Sequence, residues 1–243
     1  MIGRQSFNRG IAIMKLLAAN GGMTASDIAR ELEINQSSVS RLLQSLISAG
    51  FVYKPGFQRF ALDYGILTFA GVALDNFPLA SAAAKVCNSI HERHSCGVAV
   101  AVLSAGRLLY LAFTGEAPDS GLKLIDDSDY PIHRSSLGLV LCCTAGKQTF
   151  MELVPDSIRR HEDAVNADTL YHMVREDLSA TGVYRLNQNV NGGFNAARPF
   201  IYSGRPAALG IFHHGRSIDS ETATAVLGRG VKALGGDPVP EYS

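Results

Sequence analysis

The stretch INQSSVSRLLQSLISAG, Ile34 to Gly50, decides the fold. Val39, Leu42, Leu43, Leu46 and Ile47 recur at i, i+3, i+4, i+7 and i+8, the spacing of a helix that buries one stripe. This predicts a helix from about Gln36 to Ser48, with Asn35 as its N-cap and Gly50 just past its end. The opposite side carries Gln36, Ser37, Ser38, Ser40, Arg41, Gln44 and Ser45. A wet helix face usually carries Lys and Glu. Hydroxyls and amides around one cation instead match the edges of bases. Arg41 can bond guanine bidentately, Gln44 or Gln36 can bond adenine, and serines reach bases or phosphates.

The flanks support that reading. Phe7, Ile11, Met14 and Leu17 or Ala18 share a helical face that stops at Gly21-Gly22. TASDIAREL opens with a capping box, Thr24 with Asp27 in place of the usual Glu, and continues with an Ile28, Ala29 and Leu32 stripe. After Gly50, FVYKPGFQRFALD reads as two short strands around a Pro55-Gly56 turn. Three helices and a hairpin over residues 1–63 make a winged helix-turn-helix layout. The helix after Thr24 can take a phosphate on Thr24, Ser26 and backbone N–H groups. On the wing, Arg59 and Gln58 can reach the DNA backbone or an adjacent minor groove. The DNA-binding candidates are thus Thr24, Ser26, Gln36, Ser37, Ser38, Ser40, Arg41, Gln44, Ser45 and Arg59.

Residues 64–94 are helical in pattern, interrupted at Asn76-Phe77-Pro78. This predicts a linker helix over 64–76, rich in Leu, Phe and Ala and suited to pairing subunits. A second domain then fills 77–243. It opens with a helix. CGVAVAVLSAGRLLYLAF follows as a hairpin turning at Ser104-Ala105-Gly106. Next come a strand, a loop and a short apolar helix in LKLIDDSDYPIHRSSLGLVLCCTAG. A helical stretch covers 148–180, a loop feeds two strands, and a last helix runs from Thr222 to Leu234. The class is α+β, with helices on the flanks of a sheet.

Composition narrows function. With 243 residues, 47% hydrophobic and 18% charged, the chain can bury a core and is not a disordered segment. The zero net charge hides a split: residues 1–65 carry +3 and the remainder −3, as expected of segments with different partners. About three or four phosphates neutralised per domain give weak binding alone. A dimer or tetramer on repeated half-sites is therefore expected.

Cys87, Cys96, Cys142 and Cys143 have no disulfide-framework spacing and read as reduced core thiols. The N-terminus has no apolar signal core, and no apolar run is long enough to span a membrane. A cytoplasmic protein is expected. A nucleophile elbow, a phosphate-binding glycine loop and HExxH are all missing from the sequence, so neither catalysis nor a cofactor is expected. Gly228-Arg229-Gly230 falls inside a helical pattern. His91, His94 and Cys96 have ligand-like spacing, but zinc would need a fourth donor such as His213 or His214. Solvated histidines at a helix end are the favoured reading, with no metal. A rival reading is a small-molecule enzyme or metal sensor whose helical head binds a protein.

The chain resembles the IclR family of bacterial transcription regulators. The resemblance rests on RGIAIMKLLAANGGMTASDIARELEINQSSVSRLLQSLISAGFVYKPGFQRFAL, with SVSRLLQSLISAGFV its most specific part. It rests also on Pro131, His133, Ser135 and Gly138 in YPIHRSSLGLVLCCTAG, and on NAARPFIYSGRPAALGI. It implies a GAF-like C-terminal domain that binds a small effector, often an organic or aromatic acid. It implies dimers or tetramers that repress or activate, without enzymatic activity. A repressor of a catabolic operon is the role expected here. Carried over by position, the effector site is Ser135, Ser136, Leu137, Asn187, Phe194, Asn195, Gly210 and Phe212, with His213 as the alternative to Phe212. The family usually has an acidic pair where this chain has RLNQNVNGG. Leu186, Asn187, Gln188 and Asn189 leave that loop uncharged. With Arg198 and the two histidines nearby, the expected ligand is an anion, an organic acid, or a neutral polyol or sugar derivative.

Overall fold

The structure is a computed structural model and describes residues 2–115, 123–124, 131–186, 194–213 and 218–240. The chain divides into two units, residues 1–76 and 77–243.

In the first unit, α1 (Ile2–Asn20), α2 (Ala25–Glu31) and α3 (Gln36–Ser48) pack around one small core. Ile13, Leu17, Ile28, Val39, Leu43, Val52 and Phe60 are buried together there. A fully buried aliphatic of this size contributes about 2 kcal/mol. Strands β1 (Met23–Thr24), β2 (Val52–Gly56) and β3 (Arg59–Leu62) form an antiparallel sheet in the order β1-β3-β2. The two-residue β1 has no periodicity to betray it and was not expected. The wing turn is also displaced from expectation. Gly56 pairs with Arg59, so Phe57 and Gln58 make the turn, and Pro55-Gly56 end β2. Gln58 takes the left-handed conformation there, φ 61°.

Helix α4 (Gly65–Asn76) follows, and Phe69 rests on Phe51 with ring centroids 5.5 Å apart. A Cβ on Gly65 would collide with the Gly50 carbonyl, so the helix can start this close to the hairpin only at glycine. Tyr64 and, along α4, Leu67, Phe69 and Val72 stay exposed.

The second unit is a six-stranded antiparallel sheet in the order β6-β5-β4-β9-β8-β7. Its strands are β4 (Gly97–Ser104), β5 (Arg107–Thr114), β6 (Lys123–Leu124), β7 (Tyr184–Leu186), β8 (Phe194–Tyr202) and β9 (Arg205–His213). Strands β4 and β5 turn through Ala105 and Gly106, both at positive φ, the geometry that suits the right-handed twist of a hairpin. Helices α5 (Pro78–His94) and α9 (Ser220–Ala233) contribute to a core with Val98, Val100, Ala196, Phe200, Leu209 and Ile211. Helices α6 (Ser136–Thr144), α7 (Lys147–Arg160) and α8 (Ala167–Thr181) contribute to a separate core with Ala99, Ala101, Ala197 and Ala208. The two sets alternate along each strand, so they cover opposite faces of the sheet.

The helical stretch expected over 148–180 is two helices. Asn166 caps α8 by accepting from the Thr169 N–H at 3.0 Å, and the chain between α7 and α8 is irregular. Strand β7 falls where the sequence predicts a loop, and only three residues of it pair. Within α9, Gly230 allows close packing: a Cβ there would strike Leu209.

Candidate nucleic-acid interface and effector site

Helix α3 is built as its sequence predicts. The Asn35 side chain accepts from the Ser37 N–H at 2.8 Å. Val39 and Leu43 are buried, while Gln36, Ser37, Ser40, Arg41, Gln44 and Ser45 are exposed and Ser38 is half-buried. Two of these groups have local work. The Gln36 amide donates to Ser26 Oγ at 3.0 Å, tying α3 to α2, and the Ser45 hydroxyl donates to the Arg41 carbonyl at 3.1 Å. Each keeps an oxygen that can still accept.

Two of the expected DNA-contact residues are also engaged within the fold. Thr24 accepts from the Asp27 N–H at 3.1 Å and donates to the Asp27 carboxylate at 2.7 Å. Asp27 also binds Arg30 at 2.7 Å. The Thr24 hydroxyl holds the carboxyl below its usual range, with Arg30 assisting. A phosphate at this end would meet a carboxylate, so Thr24 serves as a cap. Arg59 is the second case. Its Nη2 donates to the Gly22 carbonyl, bracing β3 against the corner after α1. The residue itself stays exposed.

In the second unit, the segment that opens α6 carries Ser135, Ser136 and Leu137 of the expected effector site. Ser135 caps α6 by accepting from the Gly138 N–H at 3.1 Å, and a Cβ on Gly138 would lie 2.7 Å from the Ile132 carbonyl. Ser135 and Ser136 are buried. The His133 ring, also buried, lies 2.8 Å from Ser157 Oγ through Nδ1 and 2.5 Å from Asp163 Oδ2 through Nε2. Arg134 grips the same carboxylate through Nε at 2.7 Å and Nη2 at 2.5 Å. These bonds hold the Asp163 carboxyl far below its ordinary range, Arg134 contributing most and His133 next. Sequence reasoning missed Ser157 and Asp163, because they lie 24 and 30 residues from His133.

On the α6 face of the sheet, Leu186, Asn195, Phe212 and Gly97 stand in one cross-strand row. Phe212 stacks on Phe113, centroids 5.3 Å apart, and a Cβ on Gly97 would collide with the Phe212 ring. Asn195 is buried beside them. Leu137 fills the space above Gly210: a Cβ there would lie 2.8 Å from Leu137 Cγ. These two residues cover each other.

Phe194 is a correction. It packs on the opposite face with α5 and α9, its ring 5.3 Å from the Arg185 guanidinium. Strand alternation separates it from Asn195. Arg198 is also turned to that other face, its guanidinium close to Gly182 and Gly228. Asn187 and His214 lie outside the described residues, and His213 ends β9.

The metal-like trio is explained locally. His91 Nδ1 lies 2.8 Å from the Cys96 carbonyl and Cys96 itself is buried. Among the described residues, no group of three potential ligands gathers. All four cysteines are free and buried, as expected. Among the described residues, no helix is long and apolar enough to cross a membrane.

The fold therefore joins a winged helix-turn-helix, its amide- and hydroxyl-rich helix turned outward, to a helix-flanked sheet domain. Residues 6–56 match the model of the IclR helix-turn-helix domain. This first domain belongs to that family, and the whole chain has the fold of IclR-family transcriptional regulators. An IclR-family transcriptional regulator from Brucella abortus shares 18% identity at a TM-score of 0.74, covering 95% of this chain and 90% of its own. An IclR transcriptional regulator from a Silicibacter species shares 17% at 0.77, covering 98% and 99%. An IclR homologue from Microbacterium hydrocarbonoxydans, solved with 4-hydroxybenzoate, shares 17% at 0.74, covering 94% and 97%. No curated protein matches the chain by sequence.

Proposed function

We propose that this protein is a cytoplasmic, effector-controlled repressor of a catabolic operon, acting as a homodimer or a tetramer. The observation that carries the reading is α3: capped, anchored by Val39 and Leu43, and presenting Arg41, Gln44, Gln36 and serines to solvent. In a major groove, Arg41 reads guanine and the glutamines read adenine. Ser26, Ser37, Ser38, Ser40 and Ser45 position the helix on bases and phosphates. The apolar, exposed residues of α4 support pairing of subunits, since a helix apolar all round is normally covered. Residues 1–63 bind DNA, 64–76 link and pair, and 77–243 bind the effector.

The effector reading rests on Phe113 and Phe212, a stacked aromatic wall with the buried Asn195 paired to Phe212 across the sheet. Such a wall suits a flat, unsaturated organic acid. The Microbacterium relative bound to 4-hydroxybenzoate supports the same class. A ligand acts only through unequal affinity for two arrangements of the oligomer, and DNA then alters ligand affinity by the same factor.

The test is fluorescence anisotropy with DNA from upstream of the protein's own gene, at two salt concentrations with competitor present. Competitor-resistant binding that weakens steeply with salt is expected. Small aromatic and aliphatic acids that release this DNA would identify the effector class. Binding no stronger than to competitor DNA would overturn the reading.

A further inference from the structure

The wing carries an unusual tip. Phe57 is 90% exposed, the most exposed large apolar side chain among the described residues. It sits at the apex of a two-residue turn, with Pro55 and Gly56 on one side and Gln58 on the other. Gln58 takes a left-handed backbone, φ 61°, which glycine or asparagine would adopt at less cost. Turn chemistry therefore does not account for Phe-Gln at this apex. Both cations of the wing have partners within the fold. Arg59 is bound to the Gly22 carbonyl, and Lys54 lies over the buried Phe60 ring at 5.1 Å. The leading edge of the wing is an aromatic ring.

We propose that Phe57 is a wedge that enters the minor groove beside the α3 site and partly unstacks one base step. This rests on the reading of α3 as the major-groove helix. The chain passes from α3 into β2 through a short link, with the Phe51 N–H bonded to the Leu46 carbonyl at 2.9 Å, and helix and wing share one buried core through Val39, Leu43, Val52 and Phe60. A hairpin fixed beside a helix in the major groove crosses the phosphate backbone toward the neighbouring minor groove. That groove is about 6 Å wide, too narrow for a helix but open to one ring edge.

The profile of the tip favours DNA over a second copy of this chain. A stable subunit contact covers about 800 Å² per partner. One ring flanked by proline, glycine and glutamine is a point and not a face. Apolar side chains inserted between base steps kink duplexes in architectural proteins, and pyrimidine–purine steps yield most easily. Phe57 accordingly reads deformability: it prefers a TA or CA/TG step at one fixed distance from the bases read by α3.

The probe is a 40-bp duplex recovered by the full-length wild-type protein from a random library, with 2-aminopurine placed singly along the flank of each half-site. Wild type should raise 2-aminopurine fluorescence at one step per half-site. Phe57→Ala should abolish that rise and weaken binding by about tenfold or more, the worth of one base–aromatic contact. Phe57→Leu, still an apolar wedge, should restore much of the signal. Replacing the step by an A-tract should weaken wild type and leave Phe57→Ala unchanged. Unfolding curves check that the exposed substitutions leave the fold intact.

Equal affinity and equal fluorescence in Phe57→Ala would overturn the wedge while leaving α3 recognition standing. A Phe57→Ala protein that turns monomeric would also overturn it, marking the ring as a subunit contact. Recovery of no preferred duplex by wild type would overturn both readings together.

Discussion

His133 and Asp163 stand 30 residues apart in the chain and 2.5 Å apart in the fold. The pair, with Arg134 on the same carboxylate, fastens the start of α6 to the chain between α7 and α8. Ser157 holds the other side of the imidazole and is fully buried. Its hydroxyl is thus a positioning contact for the ring.

The clamp has a pH signature. The Asp163 carboxyl is depressed by Arg134 and then by His133. A depressed carboxyl stabilises the fold above its unfolded value, about 3.9, and that contribution disappears as pH falls through the folded value. Urea unfolding of wild type should show stability declining from about pH 5 downward. Asp163→Asn should be less stable at pH 7 and show a shallower decline. Parallel curves for the two proteins would show that Asp163 does not supply this slope.

Arg41 offers a cleaner test of recognition than the serines, because its side chain is exposed and Arg–guanine pairs discriminate strongly. Arg41→Ala should weaken specific DNA binding by about 1–3 kcal/mol, relax specificity at one base position, and leave the melting temperature unchanged. Anisotropy titrations with single-base variants of the preferred duplex measure both effects. Undiminished specific binding would remove Arg41 from the interface.

Asn35 separates helix stability from base contact. Its carbonyl oxygen accepts from Ser37 at the start of α3. Asn35→Ala should destabilise the first unit by about 1 kcal/mol, with DNA affinity lowered at every sequence alike. Asn35→Ser should recover most of both. Hydrogen exchange of the first-turn amides of α3 reports the cap directly.

Leu137 and Gly210 are predicted to be coupled. A Cβ at Gly210 would press on Leu137 at 2.8–3.0 Å, so Gly210→Ala should cost about 1–3 kcal/mol by overpacking. Leu137→Ala should cost about 2–5 kcal/mol by cavity formation. Combining them should cost less than the two separately, since the added methyl occupies vacated space. Denaturant unfolding of all four proteins measures the coupling, and strict additivity would contradict it.

The cysteines should be silent in the native protein. Burial pushes the Cys87 thiol up to about 12 and the Cys143 thiol up to about 11, and thiolate is the reactive form. A thiol reagent at pH 8 should label none of the four natively and all four in denaturant. Rapid labelling of the native protein would point to local opening around α6 or β4.

Local chemistry made much of this protein legible. The boundaries of α3, its Asn35 cap and the Thr24–Asp27 box follow from contacts within one or two turns. The hairpin at Ala105-Gly106 and the break at Phe77-Pro78 likewise depend on neighbours in sequence. The amphipathic pattern of α3 also fixed which of its side chains face solvent, and hence the DNA-binding reading.

What remained hidden depends on neighbours distant in sequence. Strand β1 exists because β3 lies beside it, and β7 because β8 does. The Gly22 carbonyl that Arg59 donates to lies 37 residues away in the chain. Phe194 and Asn195 are adjacent in sequence, yet the sheet sends them to opposite faces, and only the layers packed on each face decide which can meet a ligand. Short-range hydrogen bonds and periodicity are properties of a segment, whereas burial and long-range pairing exist only when the whole chain has closed around them.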